Sequence, residues 1–267
     1  VLSLRQPDGG FPGRRGGSDL YYTDFALRTL ALLAPGHEAL RSAAAFLATA
    51  PPPSDLVHTF SLLNCSRLLG LPAPLTSDRL AALSAAPIAG GATGLPFGLT
   101  RTFIAAMCRQ MLGQQALSSG EIAAIRSLRR PDGGFADTAD QPLGQTNATV
   151  AAIALLSLAG DARPDELTAA RRFLAAMQTA CGGLRAHPAA PEPDLLSTFH
   201  ALVVTMDTTA LRLQAVARFV RALALPDGGF RGTPTDPAAD LEYTYYGLAC
   251  LALLRVAARR SDAGGEV

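Results

Sequence analysis

Pro7-Asp8-Gly9-Gly10-Phe11, followed by Asp19-Leu20-Tyr21-Tyr22-Thr23, is the stretch that decides the fold, because the chain repeats it. The turn returns as Pro131 to Phe135 and Pro226 to Phe230, with a degenerate copy at Cys181-Gly182-Gly183-Leu184. Proline presets φ and glycine supplies a positive φ, so each copy reads as a tight turn. The second element, Asp-Leu-x-x-Thr ahead of an apolar run, returns at Asp55 to Thr59, Asp194 to Thr198 and Asp240 to Thr244, with weaker copies ending at Thr102 and Thr149. The six threonines, 23, 59, 102, 149, 198 and 244, are 36, 43, 47, 49 and 46 residues apart. Self-similarity at such a period marks stacked supersecondary units.

Each period also holds a second helical segment, at 38–49, 77–86, 121–129, 165–179 and 208–223. The first of these outer helices is reduced to a stub at 1–5. No useful length alternates with period two, so strands are not expected. Hairpins of this kind bury their faces by stacking on neighbours. The expected fold is all-α, an (α/α)6 toroid of helical hairpins forming a single domain over 1–267.

Composition narrows the function. The 267 residues are 49% apolar, enough for a full core. Net charge is +1, and all 23 basic residues are arginine, which gives no electrostatic case for nucleic acid or a membrane surface. No apolar run reaches about 18 uninterrupted residues, so no membrane span is expected. The four cysteines, Cys65, Cys108, Cys181 and Cys250, form no CxxC pair, and the N-terminus shows no secretory signal. They read as reduced thiols of a cytoplasmic protein. Cys65, Cys108 and Cys250 each follow their repeat's threonine by six residues and suit packing.

The Gly-Gly-Phe turns and phased Asp-x-x-x-Thr helices resemble the prenyltransferase β-subunit and squalene-cyclase repeat over about residues 1–256. That resemblance implies inner helices whose N-termini share one mouth of an apolar cavity. Helix dipoles and free N–H groups there favour an anion. The implied ligand is an isoprenoid or prenyl diphosphate. Phe11-Pro12-Gly13-Arg14 reproduces the family's diphosphate-contacting pattern, and the fifth repeat places Arg185 and His187 there. Arg15, Arg101 and Arg231 lie in or beside the same loops; a solvated loop charge is the alternative for each arginine.

Family protein prenyltransferases hold zinc through Asp and Cys at one helix start and His before the next threonine. Here Leu196 and Tyr243 stand in the Cys and His positions of the last two repeats. A rotated copy aligns Asp19, Tyr21 and His58, with Tyr21 where the thiolate belongs; two protein ligands make a poor zinc site. Asp19, Asp55, Asp194 and Asp240 also suit helix N-caps. Zinc is therefore not expected, no metal ligands are assigned, and Mg²⁺ is admitted only with a diphosphate.

The class II cyclases of the superfamily protonate an alkene with Asp-x-Asp-Asp-Thr. The nearest match is Asp240-Leu241-Glu242-Tyr243-Thr244, with Glu242 as acid and Asp240 in support. Tyr243, Tyr245 and Tyr246 could line a cavity and steady a carbocation, or pack a core. With 6% aromatics, no tryptophan and Phe11, Phe135 and Phe230 in the turns, the prenyltransferase branch is the nearer one. His200, one turn into the fifth inner helix, suits a lining base or a core histidine.

The leading expectation is an isoprenoid-handling enzyme. Arg14, Arg15, Tyr21, Tyr22, Arg185, His187, Arg231, Tyr243 and Tyr246 would bind substrate. Asp19, His58, Asp240 and Glu242 would carry the chemistry. The rivals are a class II-type cyclase or isomerase using Glu242, and a non-catalytic toroid that serves as a binding module. A helical partner subunit or a second copy of the chain is the expected protein partner.

Overall fold

In a computed structural model, residues 1–85, 98–205 and 210–263 are described. Eleven α-helices occur among them. The first helices of the hairpins are α1 (Leu20–Leu33), α3 (Leu56–Leu68), α5 (Leu99–Met111), α7 (Thr146–Leu158), α9 (Leu195–Thr205) and α11 (Leu241–Ala263). The second helices are α2 (Glu38–Thr49), α4 (Ser77–Ala85), α6 (Ser119–Ser127), α8 (Pro164–Met177) and α10 (Leu213–Ala222). The stub at 1–5 is a 3-10 turn, Leu2–Leu4. Residue 86 and the expected helix start at 208–209 lie outside the described residues, and α10 begins only at Leu213.

One expectation needs correction. Strands do occur: β1 (Phe230–Arg231) and β2 (Ala239–Asp240) pair in a small sheet. Each is two residues long, too short for any alternation to show in sequence.

The chain divides into two compact units. One comprises Val1–Ser118 and Asp240–Tyr245; the other comprises Ser119–Ala239 and Tyr246–Val267. In the first unit α1 packs on α3 and α3 on α5, with α2 and α4 against them. In the second, α7 packs on α9 and α8 leans on α7.

Burial separates the two kinds of helix. On α7 nine of thirteen residues are buried, from Thr146 to Leu156, so the helix has neighbours on most sides. On α10 only Ala215, Val216, Phe219 and Val220 are buried, a single stripe at i, i+1, i+4 and i+5. The first helices therefore form the inner layer of each unit and the second helices its outer layer.

The phased threonines have a specific task. Thr23, Thr149 and Thr198 are fully buried, and the Oγ1 of each accepts the backbone N–H of the turn residue before it. Those N–H groups belong to Phe11, Phe135 and Leu184, each at 2.9 Å. A buried N–H without a partner costs about 1–3 kcal/mol, which explains why this position carries a hydroxyl. The turn's aspartate works beside it. Asp8 accepts from the Gly10 N–H and the Ser18 hydroxyl, while Asp132 accepts from the N–H groups of Gly134 and Gly144. In the fifth repeat Cys181 takes the aspartate's place and is exposed.

Three of the turns are seated on the outer helix that follows them. The glycine pairs Gly9-Gly10, Gly133-Gly134 and Gly182-Gly183 lie against Ser42/Phe46, Ala169/Phe173 and Ala215/Phe219, a residue pair four apart on α2, α8 and α10. The repeat is thus a turn held to its own inner helix by a threonine and to its outer helix by close backbone approach.

Candidate functional site

The start of α1 carries the largest group of expected site residues, and that group belongs to the first unit. Asp19 caps α1: its Oδ1 accepts the Tyr22 N–H at 3.1 Å. Asp55, Asp194 and Asp240 accept in the same manner from the amides of His58 at 2.9 Å, Ser197 at 2.7 Å and Tyr243 at 2.9 Å. Four carboxylates that the repeat pattern marks as candidates are therefore also structural caps.

His58 joins two of them. Its Nδ1 is 2.7 Å from Asp55 Oδ2, and its Nε2 is 3.3 Å from Asp19 Oδ2. Burial alone would lower its pKa, but the bonds and charges of Asp55 and then Asp19 outweigh that, so the pKa is raised above 6.5. Both nitrogens face carboxylates, which favours the protonated ring. These residues border a cleft of about 250 Å³ with Leu20, Phe46 and Pro53 on its apolar side. A raised folded pKa adds stability that is complete below the unfolded value and fades as pH rises through the folded one. The thermal midpoint should therefore fall as pH is raised from 6 towards 8, and His58→Gln should remove that slope; a slope unchanged in the variant would contradict the pairing.

Arg14 lies on the other side of the α1 start. Its Nε is 3.0 Å from Asp240 Oδ2, and the Asp240 side chain is 5% exposed. Tyr22 packs over Gly13, where an added Cβ would come within 2.6 Å of the ring. The Tyr22 phenol is pushed up by burial, then by the negative charges of Asp240 and Glu242. It stays a neutral hydrogen-bond donor. The structure thus gathers Arg14, Asp19, Tyr22, His58, Asp240 and Glu242 about the starts of α1, α3 and α11.

Below this rim runs a row of rings. Tyr21 meets Tyr22 at 5.3 Å and Phe25 at 4.9 Å, both edge-on, and Phe25 lies 5.7 Å from Tyr245. Within the row sits a polar group that the sequence reading did not single out. Arg28 Nε donates to Asp24 Oδ1 at 3.0 Å, a second bond joins Arg28 Nη2 to Asp24 Oδ2, and Asn64 Nδ2 also donates to Asp24. The guanidinium stands over Phe25, Phe60 and Tyr245 at 5.1, 5.3 and 5.5 Å. Burial raises the Asp24 pKa, with Arg28 and Asn64 pulling the other way. The signal was available as Asp24-x-x-x-Arg28 inside an apolar helix. Asp55-x-x-His58 was a similar missed pair.

Of the remaining candidates in this unit, Arg15 is exposed, Tyr243 is half-buried, and Arg101 Nη2 donates to the Leu83 carbonyl at 2.8 Å. In the second unit Arg185 and Arg231 are half-buried, His187 is exposed and Tyr246 is buried. Arg231 Nη2 is 3.4 Å from the Ala222 carbonyl. The thiols of Cys65, Cys108 and Cys250 are buried, and burial pushes each pKa up, Cys108 to about 12. They are inert packing groups.

Zinc does not fit these residues. Tyr21 stands at the thiolate position, which leaves the Asp19 carboxylate and the His58 imidazole as the two protein donors there, too few for a zinc site. Among the described residues no three His, Cys, Asp or Glu side chains are grouped to hold an ion. No helix among them is long and apolar enough to cross a membrane.

A family model described as the prenyltransferase alpha-alpha toroid domain matches residues 99–264. The chain belongs to that family. Its hairpin repeat is thus the toroid repeat, as the turns and threonines implied. The fold is also that of three solved structures. Protein geranylgeranyltransferase-I of Candida albicans, complexed with GGPP, is 16% identical with a TM-score of 0.70, over 88% of this chain and 83% of that one. The type II terpene cyclase MstE from Scytonema is 13% identical with a TM-score of 0.61, over 96% and 94%. A protein from Actinoplanes is 18% identical with a TM-score of 0.57, over 96% of each chain. No curated protein matches the sequence.

Proposed function

We propose that the chain binds a prenyl diphosphate in its first unit and ionises it or transfers its prenyl group. The observation that carries this reading is the convergence of Arg14 and Tyr22 above the Tyr21–Phe25–Tyr245 row. A guanidinium and a neutral phenol donate to phosphate oxygens, and rings beneath them suit an unsaturated chain. As the carbon–oxygen bond breaks, its electron pair leaves with the diphosphate. Arg14 and Tyr22 then meet the growing charge on the leaving oxygens. Asp19 and His58 are the polar groups that would meet the reacting carbon and its acceptor, with His58 as donor rather than base.

The same rim carries Asp19, Asp55, Asp240 and Glu242, so a diphosphate would enter an acidic neighbourhood. Mg²⁺ accompanying it would take one or two of these carboxylates, Asp240 and Glu242 being beside Tyr22, and would neutralise phosphate charge. Without the ion, Arg14 must exchange Asp240 for phosphate. The Glu242-acid reading has less support. Asp240, its proposed partner, is paired with Arg14, and Tyr245, one of the tyrosines that would steady a carbocation, already faces the Arg28 guanidinium.

The test is incubation of the protein with geranyl, farnesyl and geranylgeranyl diphosphate, with and without Mg²⁺, following bound ligand and released diphosphate. Release is expected, and more of it with Mg²⁺. Absence of both binding and release would refute the reading, and a cyclised product that keeps its diphosphate would transfer the case to Glu242.

A further inference from the structure

The cleft beside the α1 start has a lining that the diphosphate reading leaves unused. Leu20 and Phe46, members of one packed apolar cluster, line it together with the Pro51–Pro53 stretch. Its charged lining is Asp19, Asp55 and His58. Every lining residue belongs to the first unit, and neither Arg14 nor Tyr22 is among them. At about 250 Å³ the cleft falls just below the range of about 300–1,000 Å³ usual for ligand pockets, so its occupant is a small molecule.

The polar end decides which ligand fits. Asp19 and Asp55 keep 37% and 48% of their side chains exposed, although each caps a helix and faces His58. A carboxylate offers about four acceptor sites, and on Asp19 the Tyr22 amide and His58 occupy two of them. Both nitrogens of His58 are already turned to the carboxylates, so the charged lining offers acceptors rather than donors. An anion would meet Asp19 and Asp55 first, because they cap the N–H groups of α1 and α3. His58 reports the same sign. Burial resists its protonation, yet Asp55 and Asp19 raise its pKa, so the local potential favours positive charge. The rest of the lining, on α2 and the 50–54 linker, is uncharged.

We propose that this cleft binds a small organic ammonium, its charged head on Asp19 and Asp55 and its apolar body against Leu20, Phe46 and the Pro51–Pro53 stretch. Bound in this way, the head competes with the proton of His58 for the same two carboxylates. Ammonium binding and His58 protonation therefore oppose each other, and each weakens the other by the same factor. The ligand needs no diphosphate, since the cleft takes no residue from the Arg14–Tyr22 side.

The probe is benzylammonium, charged throughout the range used, with benzyl alcohol as its neutral counterpart. Each is titrated into the full-length protein carrying ¹⁵N-labelled histidine. The amine should bind about tenfold or more tighter than the alcohol, as hydrogen bonds between charged groups imply. Its affinity should rise about fivefold or more from pH 6 to pH 8, the lower end of ordinary coupling between sites. The ionisation of His58 should move to lower pH when the amine is bound. His58→Gln should bind the amine at pH 6 as tightly as the wild type does at pH 8. Asp55→Asn, added to His58→Gln, keeps an oxygen to cap α3 and should weaken binding about tenfold. No amine binding, equal binding of amine and alcohol, an affinity indifferent to pH or a His58 signal that ignores the amine would each overturn the proposal, whether or not the variants fold. Geranyl diphosphate titrated into the same protein separates the two readings. Amine binding without diphosphate binding would refute the proposed function and leave the cleft standing, and the reverse would remove the cleft alone.

Discussion

Arg14→Ala is expected to weaken binding of a prenyl diphosphate by about tenfold to a hundredfold, the loss of one or two charge-assisted hydrogen bonds. The same change leaves the Asp240 carboxylate, only 5% exposed, without its guanidinium. Some stability should therefore fall as well, and affinity alone would not identify the cause. Asp240→Asn in the same chain separates the two effects. The double variant should recover thermal stability, because no orphaned charge remains, while affinity stays low. Titration calorimetry with a non-hydrolysable prenyl diphosphate analogue provides the measurement. Wild-type affinity in Arg14→Ala would remove Arg14 from the site, and recovery of affinity in the double variant would reduce its role to holding Asp240.

The largest stability effect should come from Gly182→Ala. Gly182 has φ +104°, where residues with a Cβ are strained, and that Cβ would lie 2.1 Å from the Ala215 carbonyl oxygen. The obstacle is helix backbone on α10, which cannot swing aside like a side chain. Backbone strain and overpacking together cost about 3–5 kcal/mol, a large part of a typical domain's stability. For a chain of this size that is a fall in thermal midpoint of roughly 10 °C. Gly36→Ala is the control: φ is +88° but nothing lies within 4 Å of the added Cβ. It should lose only the backbone part, about 1 kcal/mol. Equal losses in the two variants would refute the close-approach account.

The contrast between these positions shows what sequence could reveal. The turns were readable because proline, aspartate and glycine encode a local shape within five residues. The threonines were readable because Oγ1 bonds the N–H of a residue only 12 to 14 positions earlier, so the pair recurs with the repeat. Arg14 and Asp240 were each visible as motif residues, but nothing local joins partners 226 positions apart. Asp24 was hidden for another reason. Its partners sit four and forty positions away, and an ionic group inside an apolar helix has no place in a pattern built on turns and caps. His200 was seen, but its hydrogen-bond partner Asn147 lies 53 residues upstream, where no local pattern reaches.

The division of the first unit between Val1–Ser118 and Asp240–Tyr245 has a consequence for the order in which the protein can mature. Synthesis runs from the N-terminus, and early segments begin to fold while later ones are still being made. Asp19, His58 and the Asp24–Arg28 pair can assemble once α3 has emerged. Asp240, Glu242 and Tyr245 arrive only after the whole of Ser119–Ala239 has been translated. A nascent chain therefore carries Arg14 for most of its synthesis without the carboxylate that holds it. The diphosphate end of the proposed site is completed among the last steps of translation, so a chain cut short before residue 240 would keep the cap network but not the substrate pocket.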